Sequence, residues 1–114
     1  MRKKKNDYVV SSGNVFQDLG FSPDEAEELQ VKSGLIRQIA DSIEDQGLKQ
    51  AEAAALIGTD QPTLSKVLRG RLSSVSVERL TSWLNTLGYD VKVTVSAKAK
   101  KAKRGRFSFD LHAS

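Results

Sequence analysis

Two short helical segments joined at a single glycine constrain this chain more than any other feature. Gln50 to Ile57 is rich in alanine and reads as a helix that Gly58 ends. One residue later Asp60 is placed to cap a second helix, which runs to Leu68 and is closed by Gly70. Pro62 falls in the first turn of that helix, where its missing N–H has no intrahelical partner to lose, so it marks a start and not a break. Leu64, Val67 and Leu68 give the second helix an apolar side. Asp60, Gln61, Thr63, Ser65 and Lys66 crowd its first half, a polar set that a surface helix does not need for its own stability. Helices this short are unstable alone, so the pair requires braces.

The braces are legible on both sides. Leu35, Ile36, Ile39, Ala40 and Ile43 recur at one-face helical spacing and stop at Gly47. Ser76 to Leu87 places Val77, Leu80, Trp83, Leu84 and Leu87 on one face and stops at Gly88. Two short helices held between two longer ones make the helix-turn-helix arrangement. Upstream, Ser22-Pro23-Asp24-Glu25 reads as the start of an acidic helix leading into Leu29 and Val31. Gly34 costs a helix about 1 kcal/mol relative to alanine, which predicts a kink or a fresh helix start near Ser33.

Downstream, Val91, Val93 and Val95 alternate with Lys92 and Thr94, the period of a half-buried strand. Phe107, Phe109 and Leu111 alternate in the same way with Ser108 and Asp110. This second run has three open readings: a hairpin with the valine strand, a segment that folds on a partner, or an unstructured tail. The expected fold is mainly α, a helix-turn-helix bundle of four to five helices with a short C-terminal β-strand and basic flexible tails. Residues 1–14 are expected as a disordered basic N-terminus, 15–96 as the domain, and 97–114 as a basic tail.

Composition sets the functional classes. A chain of 114 residues suits one core, and the absence of cysteine rules out disulfides and thiolate metal sites. No apolar run approaches the roughly 18 residues of a membrane span, and Arg2-Lys3-Lys4-Lys5 leads into no apolar signal core, so a soluble cytoplasmic protein is expected. The net charge of +4 favours a polyanionic partner, and the cations concentrate at Arg2–Lys5 and at Lys98–Arg106. Asp18, Asp24, Glu25, Glu27 and Glu28 make an acidic stretch between them. His112 is the only histidine, and no phosphate loop, nucleophile motif or convincing carboxylate pair is present. No enzyme, cofactor, catalytic residue or metal site is expected.

LKQAEAAALIGTDQPTLSKVLRG, Leu48 to Gly70, resembles the XRE (Cro and phage-repressor) family, with Gln50, Ala54, Gly58, Gln61, Leu64, Ser65, Val67 and Gly70 all in register. SGNVFQDLGFSPDEAEEL, Ser12 to Leu29, is similar to the leader of a subgroup, the HigA-like antitoxins of HigB/RelE-type toxins. Two positions depart from the family pattern. Lys49 replaces the threonine whose hydroxyl completes a capping box with Glu52, and Thr59 stands where a buried aliphatic residue is usual.

The second helix of such a pair enters the major groove with its N-terminal residues toward the bases, so Gln61, Thr63 and Lys66 are the expected base contacts on double-stranded operator DNA. An amide can bond adenine N6 and N7 together, and an ammonium can donate to guanine O6 or N7. Asp60 is assigned to capping and Ser65 to helix packing. Lys49, Gln50, Arg69, Arg71 and Ser73 are the expected phosphate contacts. One reading helix buries too little to specify a site, so a homodimer is expected, through Leu84, Leu87, Val91, Val93 and Val95. The resemblance further implies a HigB/RelE-type toxin as partner, meeting Val15, Phe16, Leu19, Phe21, Glu25 and Glu28 of the leader. It also implies repression of the protein's own operon, with the protein on the nucleoid when bound to DNA. A stand-alone or phage-type XRE regulator without a toxin is the alternative.

Overall fold

The structure is a computed structural model and describes residues 14–110. The basic run Arg2–Lys5, Leu111 of the second alternating run and His112 lie outside the described residues. Among the described residues five α-helices follow in order: α1 Val15–Asp18, α2 Pro23–Asp45, α3 Gln50–Ile57, α4 Gln61–Leu68 and α5 Val77–Thr86, with a 3-10 turn at Leu72–Ser74 between the last two. Asn14 caps α1 by accepting the Phe16 N–H at 2.8 Å, and its own amide donates to the Ala26 carbonyl at 2.9 Å, tying the leader to α2.

The start of α2 follows the local rules. Ser22 Oγ accepts the Glu25 N–H at 3.2 Å and Glu25 Oε1 accepts the Ser22 N–H at 3.3 Å, a reciprocal capping box with Pro23 at the first helical position. The helix then runs 23 residues without interruption, which corrects the expectation of a second start near Ser33. The reason lies in space and not in local propensity. A Cβ on Gly34 would collide with the ring of Phe109, which returns from the far end of the chain to lie over the helix there.

The core is built on α2. Val31, Leu35, Ile36, Ile39 and Ile43 face Leu80, Trp83, Leu84 and Leu87 of the α5 region, and Leu64 and Val67 of α4 close the centre. Ile39, Leu64 and Leu80 have no exposed surface, so truncating any of them costs about 2–5 kcal/mol. Ser42 is buried among them and keeps a partner, accepting from Gln46 Nε2 at 3.0 Å, and the same amide donates to the Leu87 carbonyl at 3.0 Å. One side chain thereby fastens the C-terminal ends of α2 and α5 together.

The expected C-terminal strand is not formed. Residues 90–99 carry no β-ladder, because no second strand among the described residues lies beside them to share hydrogen bonds. Nor do Phe107 and Phe109 make a hairpin with the valines. The chain turns at Lys100 and Lys101 and comes back to α2, where Arg104 NH2 meets Glu27 Oε2 at 3.0 Å and Arg104 NH1 meets Asp24 Oδ1 at 3.2 Å. The Phe107 N–H donates to Glu27 Oε1 at 2.9 Å, and Phe109 packs against the core.

Candidate nucleic-acid interface

The turn between α3 and α4 is set by a handful of atoms. Gly58 adopts φ +83°, a left-handed conformation that a side chain disfavours. The Thr59 N–H reaches back to the Ala54 carbonyl at 2.9 Å and the Gly58 N–H to Ala55 at 3.3 Å, the Schellman closure of a helix. Thr59 is half-buried there and does not disturb the closure. At the other end of α3 only one half of the capping box survives: Glu52 Oε1 accepts the Lys49 N–H at 2.7 Å, and lysine has no acceptor to return the bond. The Lys49 residue is exposed beside the helix start, and Gln50 is half-buried at its first position.

Asp60 caps α4. Its Oδ1 accepts the Thr63 N–H at 2.7 Å, and that bond is the main reason its carboxyl is held below the usual aspartate range, with a second bond from the Thr63 side chain and the nearby Lys66 charge adding to it. The carboxylate is therefore engaged at the helix start, as the capping reading expects.

Side-chain directions on α4 follow from about 100° per residue. Leu64 and Val67 point to the core and Leu68 is half-buried beside them. Pro62, Lys66 and Arg69, all exposed, form the opposite stripe, with Thr63 and Ser65 half-buried at its edges. Gln61 lies about 140° around the axis from Lys66, so it does not share that stripe. It is exposed because it is the first residue of the helix, with no preceding turn to cover it. The expected reading set thus has two geometries: Gln61 at the tip and Lys66 along the outer face.

Arg71 and Ser73 are exposed on the 3-10 turn that follows α4. That turn is fixed by a residue sequence reasoning did not single out. Lys32 of α2 is buried, and its Nζ donates to the Leu72 carbonyl at 3.0 Å with Glu28 Oε2 at 3.5 Å. A basic residue among helix surface residues carries no local mark of such a role, so only the fold reveals it. Arg79, in contrast, lies with its guanidinium 5.7 Å from the centroid of Trp83, and Trp83 itself is core.

The family model described as Helix-turn-helix domain matches residues 15–96. A solved structure described as an XRE family transcriptional regulator is 35% identical, matches over 77% of this chain and 99% of its own, and superposes with a TM-score of 0.71. The chain belongs to the XRE family of helix-turn-helix proteins. As an XRE protein it is a DNA-binding transcriptional regulator, and α3 and α4 are its helix-turn-helix. No protein of curated function matches it. Among the described residues, no helix is long and apolar enough to cross a membrane.

The other expected sites fall in different places. Leu84 and Leu87 are buried in the protomer's own core, which removes them from the expected dimer face. Val91 is half-buried, whereas Val93 and Val95 are exposed. In the leader, Val15, Leu19 and Phe21 are exposed, and Phe16 meets Phe21 edge-on with ring centroids 6.3 Å apart. Glu25 is occupied in the capping box and Glu28 leans toward Lys32. Asp24 and Glu27 hold a basic side chain from elsewhere in the chain, that of Arg104.

Proposed function

We propose that this XRE protein is a sequence-specific, dimeric antitoxin that neutralises a HigB/RelE-type toxin and represses its own operon. The reading of DNA rests on the exposed tip and outer stripe of α4, with Gln61, Thr63 and Lys66 toward the bases and Lys49, Gln50, Arg69, Arg71 and Ser73 toward phosphates. The antitoxin role rests on one observation above all. Val15, Leu19 and Phe21 place three large apolar side chains in solvent within seven residues, beside exposed acids at Asp18 and Glu28. An apolar patch rimmed by charge is the composition of an interaction site, and its acidic rim suits a basic ribonuclease.

The test is co-expression of the chain with the small basic RelE-like protein encoded beside it. Co-purification is expected with the wild type and is expected to fail with Leu19→Asp, while operator binding persists. Retention of the toxin by Leu19→Asp would remove the leader from the interface. On the DNA side, Gln61→Ala should lose discrimination between operator and random DNA with the fold unchanged by circular dichroism. Equal operator preference in both proteins would remove Gln61 as a reader. The solved relative's description as a transcriptional regulator favours a second reading, a stand-alone XRE regulator. In that case no toxin gene adjoins this one and the leader patch serves another contact.

A further inference from the structure

The C-terminal arm has a receptor site on α2 with three distinct parts. Asp24 and Glu27 grip the Arg104 guanidinium from two sides. Glu27, whose side chain is only 17% exposed, also accepts the Phe107 N–H, so it recognises backbone as well as charge. Two helical turns on, the bare backbone of Gly34 receives the Phe109 ring. The path by which the arm reaches this site is built quite differently. Val93 is 87% exposed and Val95 90%, the backbone of 90–99 pairs with no strand among the described residues, and the returning loop surrounds an open space of about 800 Å³ beside α2. A well-made anchor at the end of an unpacked tether is the arrangement in which an arm can dock on a neighbour at little cost, because every anchoring contact is reproduced between chains.

We propose that the arm, residues 97–110, is exchanged: the arm of one copy fills the Asp24–Glu27–Gly34 site of a second copy and receives that copy's arm in return. The inference rests on the dimeric reading of the protein. Residues 91–103 span up to ~43 Å when extended, about the longest dimension of the protomer at 47 Å, so the arm reaches a neighbouring α2. In the exchanged form the two tethers run alongside one another, which gives Val93 and Val95 cross-strand partners and their backbone a ladder. The Lys98, Lys100, Lys101 and Lys103 ammonium groups, all exposed, stay outside the anchor.

A charge reversal separates exchange from docking within one chain. Glu27→Arg and Arg104→Glu each set like charges against one another in a homodimer. In an equimolar mixture every exchanged arm meets an opposite charge again, whereas arms docked in their own chain gain nothing from mixing. Sedimentation velocity on the full chain is expected to show a wild-type dimer, at least tenfold weaker association of either variant alone, and association restored to within about threefold of wild type in the mixture. A mixture that associates no better than its components overturns the exchange while leaving a dimer in place. A wild type that is monomeric both free and on operator DNA overturns the dimeric reading as well. A second measurement does not depend on reversed charges. The chain has no cysteine, and a Cβ at residue 34 lies 2.8 Å from Phe109 Cγ, so Gly34→Cys with Phe109→Cys in one chain brings the two Cβ atoms to disulfide range. Oxidation is expected to give a covalent dimer on a non-reducing gel, and a compact monomer instead would overturn the proposal.

Discussion

Gly34→Ala sets two opposed effects against each other at one position. In the interior of α2 alanine is favoured over glycine by about 0.8–1 kcal/mol through backbone entropy alone. Against that, the new methyl occupies the volume of the Phe109 ring, and the neighbour it meets is the body of the ring, which has nowhere to move while the arm stays seated. Phe109 is half-buried, so its displacement forfeits about half of the roughly 1.5–3 kcal/mol that full burial of such a side chain provides, or ~1 kcal/mol. The two effects nearly cancel, and the single substitution is expected to leave overall stability within about 0.5 kcal/mol of wild type.

The cancellation is exposed by a double-mutant cycle. With Phe109→Ala already in place the ring is absent, and Gly34→Ala is expected to stabilise by about 1 kcal/mol, giving a coupling energy of ~1 kcal/mol between the two positions. Urea unfolding followed by the fluorescence of Trp83 reads this cleanly, because the chain has one tryptophan and it lies in the core. All four proteins are compared at one concentration, since association shifts apparent stability. If Gly34→Ala stabilises equally in both backgrounds, the ring does not sit over the helix and the account of the arm fails.

Three further outcomes follow from the geometry. Lys32→Met removes the ammonium that holds the Leu72 carbonyl but keeps most of the packing, and is expected to cost about 1 kcal/mol in urea unfolding and to weaken operator binding by freeing the turn that carries Arg71 and Ser73. Asp60 has its folded-state pKa lowered, so the cap's ionic contribution is present above the unfolded value of about 3.9 and is lost as pH falls through the folded value. Asp60→Asn retains an acceptor for the Thr63 N–H, so its deficit in Tm against wild type should be seen at pH 7 and shrink toward zero in acid. Arg69→Ala should lower the salt dependence of operator binding by about one charge without changing sequence preference, as measured by fluorescence anisotropy across a potassium chloride series.

What was legible in the sequence was what neighbours in sequence decide. The Ser22 helix start, the Asp60 cap and the glycine closures join residues a few positions apart, and each was expected where it is found, the return bond from Glu25 to the Ser22 N–H being the structure's addition. The core faces followed from periodicity for the same reason, except that Ala40, expected on the apolar face of α2, is exposed. The determinants that were not legible join distant residues: Lys32 to Leu72, Gln46 to Leu87, and Arg104 to Glu27. Arg104 has no local feature that separates it from the other cations of its run. Val91, Val93 and Val95 show the division most clearly, since their alternation held no information about whether a partner strand exists, and the expected strand is not formed. The dimer face suffered a related loss: periodicity marked Leu84 and Leu87 as apolar, and only packing shows that the protomer's own core consumes them.

Gly34 does leave a trace in the sequence, one that locally argues for a break. A helix interior that accepts an entropic cost of about 1 kcal/mol needs an offsetting contact, and here the contact requires the helix to be unbroken. Glu27 and Gly34 are seven residues apart, so on a continuous helix they fall within about 20° of one another and ~10.5 Å apart along the axis. Arg104 and Phe109, five residues apart, can span up to ~17 Å when extended, enough to reach both with slack for the Phe107 N–H to turn toward Glu27. A kink at Gly34 would swing the glycine off that stripe and separate the two anchors. Lys32 imposes the matching constraint from the other side. It points about 140–160° away from the stripe and holds the turn behind α4, so the arm site and the turn that carries Arg71 and Ser73 are separated by the thickness of one helix. The continuity of α2 is therefore a requirement set jointly by contacts on its two faces, and the glycine that locally argues for a break is the residue that makes one of those contacts possible.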